Sequence, residues 1–223
     1  MQGPQLDAGQ ALARLREGNR RFVDHVVSLE ALLSHARRED HARAQRPFAV
    51  ILGCSDSRAP AEFVFDQGLG DLFVIRVAGN IAAPSQIGSV EFAVARFGIR
   101  VVVVLGHSNC GAIQATLEAV DHPHEVSPAL HAIVDRIMPA LGEHAEAHGT
   151  AHDHANLHAN EQGGALAERR MRDAVRANVR YTTARLRADS TYLDRMCHEQ
   201  GLSIVGADYD LSSGVVDFFH AVP

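Results

Sequence analysis

The sequence has no tryptophan and only three cysteines in 223 residues, and aromatic side chains make up just 5%. Three is an odd number and too few for a disulfide scaffold, so the thiols fit a metal or catalytic role in a reducing compartment. Long apolar runs are also missing. The longest, Ile99 to Gly106, is interrupted by Arg100 and falls far short of the ~20 residues that a membrane span needs. A basic excess is missing too: 21 Lys and Arg face 27 Asp and Glu, a formal charge of −6, which argues against a nucleic-acid-scanning surface. Met1 to Pro4 show no basic region leading into an apolar core, so no secretory leader is read and a cytoplasmic location is expected. With 46% hydrophobic and 22% charged residues, the chain can bury a core.

At ~150 residues per domain, this length suits one large domain or one domain carrying an insertion. Apolar positions at Leu12, Leu15, Phe22 and Val26 predict an amphipathic helix over 7–26 with Asp7 as its N-cap, and a second helical stretch is expected over 29–39. Phe48 to Leu52 form an unbroken apolar run closed by Gly53, the pattern of a strand buried on both faces. Leu72 to Val77 is a second strand candidate. Pro84 opens a helix that Gly98 closes, the Val-rich stretch Ile99 to Leu105 is a third strand, and a helix over 110–120 follows. Eight of the 14 histidines lie between His122 and His158. The stretch 143–164 has almost no apolar content and is expected to be an exposed polar insertion. Helical spacing returns from Val175 to Gly201, and strands are expected at 202–205 and 215–219. Such alternation implies an α/β domain over residues 1–223. About four parallel strands form its central sheet, an antiparallel edge strand closes it, and helices cover both faces.

Open α/β sheets bind ligands beyond the carboxyl ends of their strands. Two strand ends here carry metal-ligand residues: the first runs into Cys54-Ser55-Asp56-Ser57-Arg58, the third into His107-Ser108-Asn109-Cys110. If those strands are neighbours, Cys54, His107 and Cys110 meet at one point. Two thiolates and one imidazole suit zinc, one ion per chain, and three protein ligands leave the open fourth position of a catalytic site. Two thiolates also neutralise the ion, so a bound water is acidified less than under three imidazoles. Asp56 is placed to accept a hydrogen bond from zinc-bound hydroxide, and Arg58 to hold Asp56 ionised. Cys197 lies outside both motifs and is read as an ordinary thiol.

On these residues the chain resembles the β-class carbonic anhydrases, whose motifs are C-x-D-x-R and H-x-x-C. The likeness extends to Glu17–Phe22, to Phe73–Asn80 and to Gly206–Leu211, and covers nearly everything but the His-rich stretch. The resemblance implies reversible hydration of carbon dioxide to bicarbonate and a proton by attack of zinc-bound hydroxide. It implies N-terminal helices that reach a partner in a homodimer or homotetramer, with no nucleic acid and no membrane involved. It also implies an apolar substrate pocket at the dimer interface beside Gln45, Phe73 and Phe92, with the backbone of Gly111 near the product. Phe92 stands where many relatives carry Tyr. One subgroup binds bicarbonate at a non-catalytic site through a Trp, an Arg and a Tyr. Here Ile51 takes the Trp position while Arg76 and Tyr209 match the others, so that switch is expected to be absent or weak.

Other chemistries remain open on the same residues. Carbonyl sulfide or carbon disulfide could be hydrolysed on the same zinc scaffold. Without metal, Cys54 could act as a nucleophile with His107 as base, although the C-x5-R spacing of thiol phosphatases fails because position 60 is Pro. The third alternative is a non-catalytic metal-binding protein that uses the His tract.

Overall fold

The computed structural model describes residues 5–34, 42, 44–121, 127–148 and 161–222. Its strands are β1 (Ala49–Gly53), β2 (Leu72–Arg76), β3 (Val101–His107), β4 (Ser203–Tyr209) and β5 (Val216–Val222). Its α-helices are α1 (Ala8–Val23), α2 (Leu29–Ser34), α3 (Ala61–Val64), α4 (Pro84–Phe97), α5 (Gly111–Asp121), α6 (Pro128–His148), α7 (Glu161–Ala188) and α8 (Thr191–Gln200). The sheet order is β2-β1-β3-β4-β5, parallel throughout except for the antiparallel β4–β5 edge. This is the mostly parallel sheet that the strand–helix alternation predicts, and β1 and β3 are indeed neighbours.

Every residue of β1 and β3 is buried, because helices lie on both faces of the sheet. The two-residue period sorts their side chains. Ala49, Ile51, Val101, Val103 and Leu105 face a core completed by Ala11 and Leu15 of α1. Val50, Leu52, Val102 and Val104 face the opposite core, filled by Val90 and Val94 of α4, Val179 and Leu186 of α7 and Leu193 of α8.

Helix α1 starts where the sequence places it. Asp7 and Gln10 form a reciprocal capping box, with Gln10 N donating to Asp7 Oδ1 at 2.8 Å and Asp7 N to Gln10 Oε1 at 3.1 Å. It ends at Val23 rather than Val26, because the Asp24 and His25 amides turn back onto the Arg20 and Phe22 carbonyls. Asn19 then pins α1 to the body of the fold, donating to the carbonyls of Val64 and Gly214 and accepting from Val216 N. At that crossing Gly18 lies directly against the backbone after α3, and a Cβ there would stand 1.8 Å from Phe65 O. Gly18→Ala is therefore expected to cost about 3 kcal/mol as overpacking, read as a lower urea midpoint at unchanged slope. An unchanged midpoint would show that α1 can lift off without loss.

The stretch 143–164, read above as a polar insertion, is entered by helix from both sides. α6 continues to His148 and α7 begins at Glu161, while residues 149–160 lie outside the described residues. Ala, Glu and Gln sustain helix by intrinsic propensity without an apolar stripe, which periodicity alone overlooks. Strands β4 and β5 likewise run to Tyr209 and Val222, beyond the expected 205 and 219, because the hairpin pairing carries polar residues with it.

Candidate metal centre

Cys54 follows the last residue of β1, and His107 is the last residue of β3. The parallel register sets Gly53 opposite Leu105, so the two side chains emerge side by side at the carboxyl edge of the sheet. After His107 the chain turns through Asn109, held at φ +53°, and Cys110 enters α5, where its carbonyl accepts from Gln114 N at 3.0 Å. The turn brings Cys110 Sγ to 4.0 Å from Cys54 Sγ. All three donor atoms lie within 4.8 Å of one another, and all three residues are buried. This group could hold a metal ion.

The imidazole shows which nitrogen is offered. Nδ1 donates to the Ser108 carbonyl at 2.9 Å, and Nε2 is buried with no hydrogen-bond partner among the described residues. An unprotonated nitrogen lone pair facing two thiols, otherwise unsatisfied, fits a metal ligand whose tautomer is fixed from behind. The thiols fit as well. Cys54 is the more acidic of the pair, lowered chiefly by the hydrogen bond from Cys110 and further by His107 and the backbone amides of Asp56 and Gly79. Cys110 is correspondingly pushed up by Cys54 and by burial. Burial alone would lower the His107 pKa, but Cys54, the Ser108 carbonyl and Asp56 outweigh it and raise it, so the lone pair on Nε2 is drawn towards a positive charge. Negative charge thus accumulates where a cation would sit.

Beside this group stands a clamp. Arg58 meets Asp56 in a fork, Nε to Oδ1 at 2.9 Å and NH2 to Oδ2 at 2.8 Å, and the Arg58 amide adds a third bond to Oδ1 at 2.9 Å. The Arg58 guanidinium holds the Asp56 carboxyl well below the usual carboxylate range. Asp56 Oδ2 lies 3.9 Å from His107 Nε2, so the carboxylate borders the open side of the group.

The family model for carbonic anhydrases matches residues 49–216, from the first residue of β1 to the first residue of β5. The chain belongs to the carbonic anhydrase family. It is 36% identical to a carbonic anhydrase of Mycolicibacterium smegmatis over 96% of this chain and 94% of that protein. With carbonic anhydrase 2 of Mycobacterium tuberculosis it shares 34% identity over 95% and 92% of the two chains. In fold it matches a tetrameric β-carbonic anhydrase of Sordaria macrospora at a TM-score of 0.70 and 21% identity, over 93% of this chain and 96% of that one. The β-class fold expected from the two motifs is the fold observed.

The fold brings together Cys54, Asp56, Arg58, His107 and Cys110, with Gly111 next to Cys110 in the chain. Gln45, Phe73 and Phe92 lie elsewhere. Phe73 pairs with Val50, four residues before Cys54, which at ~3.3 Å per residue is about 13 Å along the strand. Phe73, Phe92 and Phe97 form an aromatic cluster with centroids 6.0 to 6.1 Å apart, and Phe92 is 55% exposed. Gln45 is exposed in the segment leading into β1. Ile51, at the Trp position of the bicarbonate subgroup, is fully buried in the core below α1.

Two contributors were not legible in the motifs. Arg76, at the end of β2, donates from Nε to Cys54 O at 3.0 Å and from NH2 to Asp56 O at 2.6 Å, so its guanidinium fastens the loop that carries both residues. Gly79 donates its backbone N–H to Cys54 Sγ at 3.4 Å. A backbone donor leaves no trace in residue type.

Proposed function

We propose that the chain holds one zinc ion through Cys54, His107 and Cys110 and catalyses the reversible hydration of carbon dioxide to bicarbonate and a proton. The observation that carries this reading is the orphaned, buried His107 Nε2 facing two thiols beside a carboxylate clamped in the ionised state. When bound, zinc supplies a Lewis acid that makes water nucleophilic, less acidifying with two thiolates among its ligands than with three imidazoles.

The protein's own residues supply orientation. Held ionised by Arg58, Asp56 can only accept, so its Oδ2 would accept a hydrogen bond from the attacking oxygen, whose proton stays on that oxygen, and so would turn a lone pair towards the substrate carbon. As the family resemblance implies, the backbone of Gly111, the first residue of α5, would stand near the product. Arg76 keeps the Cys54–Asp56 loop from drifting. An apolar substrate needs an apolar wall, and the wall offered by Phe73 and Phe92 is too far along the sheet to serve its own centre. A second copy in a homodimer, alone or paired into a homotetramer, would bring Gln45, Phe73 and Phe92 to it. Apolar side chains exposed over the end of α1, α2 and α3, among them Val27, Leu29, Leu32 and Phe63, support such a contact. Cys54 and Cys110, unlinked at 4.0 Å, suit a reducing cytoplasm.

The test is one preparation measured for zinc per chain and for stopped-flow carbon dioxide hydration. One zinc and rapid hydration are expected, with the rate rising from neutral to alkaline pH because the ligand set is formally neutral. One zinc without hydration would refute the proposal, and a rate flat across that range would refute the charge argument.

A further inference from the structure

The amide that reaches Cys54 Sγ belongs to an unusual turn. Gly79 stands at φ +70° and Asn80 at φ +43°. A Cβ on Gly79 would lie 2.7 Å from Ile137 Cδ1 and 3.2 Å from the Ala112 side chain, so the turn is wedged against α5 and α6 and only glycine fits. The following peptide, Gly79–Asn80, is held at both edges. Its N–H donates to Val77 O at 3.0 Å, and its carbonyl accepts from Nδ2 of Asn178 in α7 at 2.8 Å, a contact across 99 residues.

Asn178 is 1% exposed, and its Oδ1 has no partner among the described residues. Its helix neighbours Ala174, Val175 and Val179 pack into apolar cores. Burying an amide with its oxygen unpaired costs stability, so packing alone would favour an apolar side chain there. What the amide contributes is the bond to the Gly79 carbonyl.

The two thiols differ in how their backbone donors are supported. Cys110 faces the amides of Ala112 and Ile113, which the first turn of α5 supplies by its own geometry. The Gly79 amide comes instead from a single three-residue 3₁₀ turn, Ala78–Asn80, whose helical geometry is broken at Gly79 itself, so the turn alone does not fix its direction. We infer that Asn178 is a positioning residue for the metal centre: by fixing the Gly79–Asn80 peptide it keeps the Gly79 N–H aimed at Cys54 Sγ. That bond withdraws electron density from the thiolate and makes the ion held by Cys54, His107 and Cys110 a stronger Lewis acid. A centre neutralised by two thiolates gains most from such withdrawal. The inference rests on the metal reading given above.

Cobalt(II) loaded in place of zinc reports on the sulfur directly through its thiolate-to-metal charge-transfer bands. Removing a hydrogen bond raises the energy of the sulfur lone pair, so Asn178→Ala and the isosteric Asn178→Asp are expected to move those bands to longer wavelength. Thr183→Val removes another buried bond of α7, Thr183 Oγ1 to Val179 O at 2.6 Å, and is expected to leave them in place. Unmoved bands in an Asn178 variant that binds cobalt would overturn the inference, and so would an equal shift in Thr183→Val. Should neither Asn178 variant fold, NMR of the cadmium-loaded parent decides: a through-bond coupling between cadmium and the Gly79 amide proton is expected, and its absence overturns the inference. A parent without charge-transfer bands would instead refute the metal reading itself.

Discussion

Cys54→Ser is expected to abolish both metal retention and carbon dioxide hydration. A serine hydroxyl keeps its proton near neutral pH and is a poor ligand for a soft-leaning cation, whereas Cys54 is the more acidic of two thiols held 4.0 Å apart. Changing groups behind a metal's ligands typically costs 10- to 100-fold in affinity, so losing a ligand should cost more than about 100-fold. Metal analysis after dialysis should find far less than one zinc per chain, and stopped-flow traces should fall to the buffer rate. The fold should survive, because the sheet register and the two large cores do not involve Cys54, which packs only into the smaller cluster with Ile81, Ile113 and Ile137, where serine is close in size. Full zinc with undiminished hydration in this variant would remove Cys54 from the site. Activity that outlasts zinc removal from the parent would favour the thiol-nucleophile chemistry instead.

Asp56→Asn separates orientation from metal binding. The substituted amide keeps the shape of the carboxylate but presents N–H groups to the attacking oxygen and leaves the Arg58 fork facing a neutral partner. Zinc content should stay at one per chain while kcat falls roughly 10²- to 10³-fold, the range for removing a preorganised polar contact to the reacting atoms. Unchanged kcat would reduce Asp56 to an anchor for Arg58. A loss of zinc parallel to the loss of rate would make it part of the metal's support.

Much of the site is legible because its motifs are local. An apolar run that ends in glycine fixes where each strand stops, and the residue types that follow are those a catalytic zinc site needs. Cys54-x-Asp56-x-Arg58 is local in a further sense, since the fork between Asp56 and Arg58 closes within a single turn. Arg76, Gly79 and Asn178 act across 20 to 99 residues. Arg76 reads as a family match for a bicarbonate ligand, yet its guanidinium holds the Cys54 and Asp56 carbonyls. Asn178 reads as one polar residue in a long helix. In the stretch 143–164, low apolar content suggests an insertion, and helix propensity carries α6 and α7 into its two ends.

By itself the sequence determined the α/β class, the ends of the strands that matter, the candidate donor set Cys54, His107 and Cys110, and the resemblance to the family. Periodicity, turn residues and ligand chemistry are properties of neighbours in the chain. Only the tertiary structure decided that β1 and β3 pair in the register that brings Cys54 beside His107, and that Phe73 and Phe92 cluster far along the sheet from Cys54. Only it showed that an amide on α7 holds the peptide beside the Cys54 sulfur. Those facts depend on which surfaces pack together, and packing is settled by the shape of the whole core rather than by any one segment.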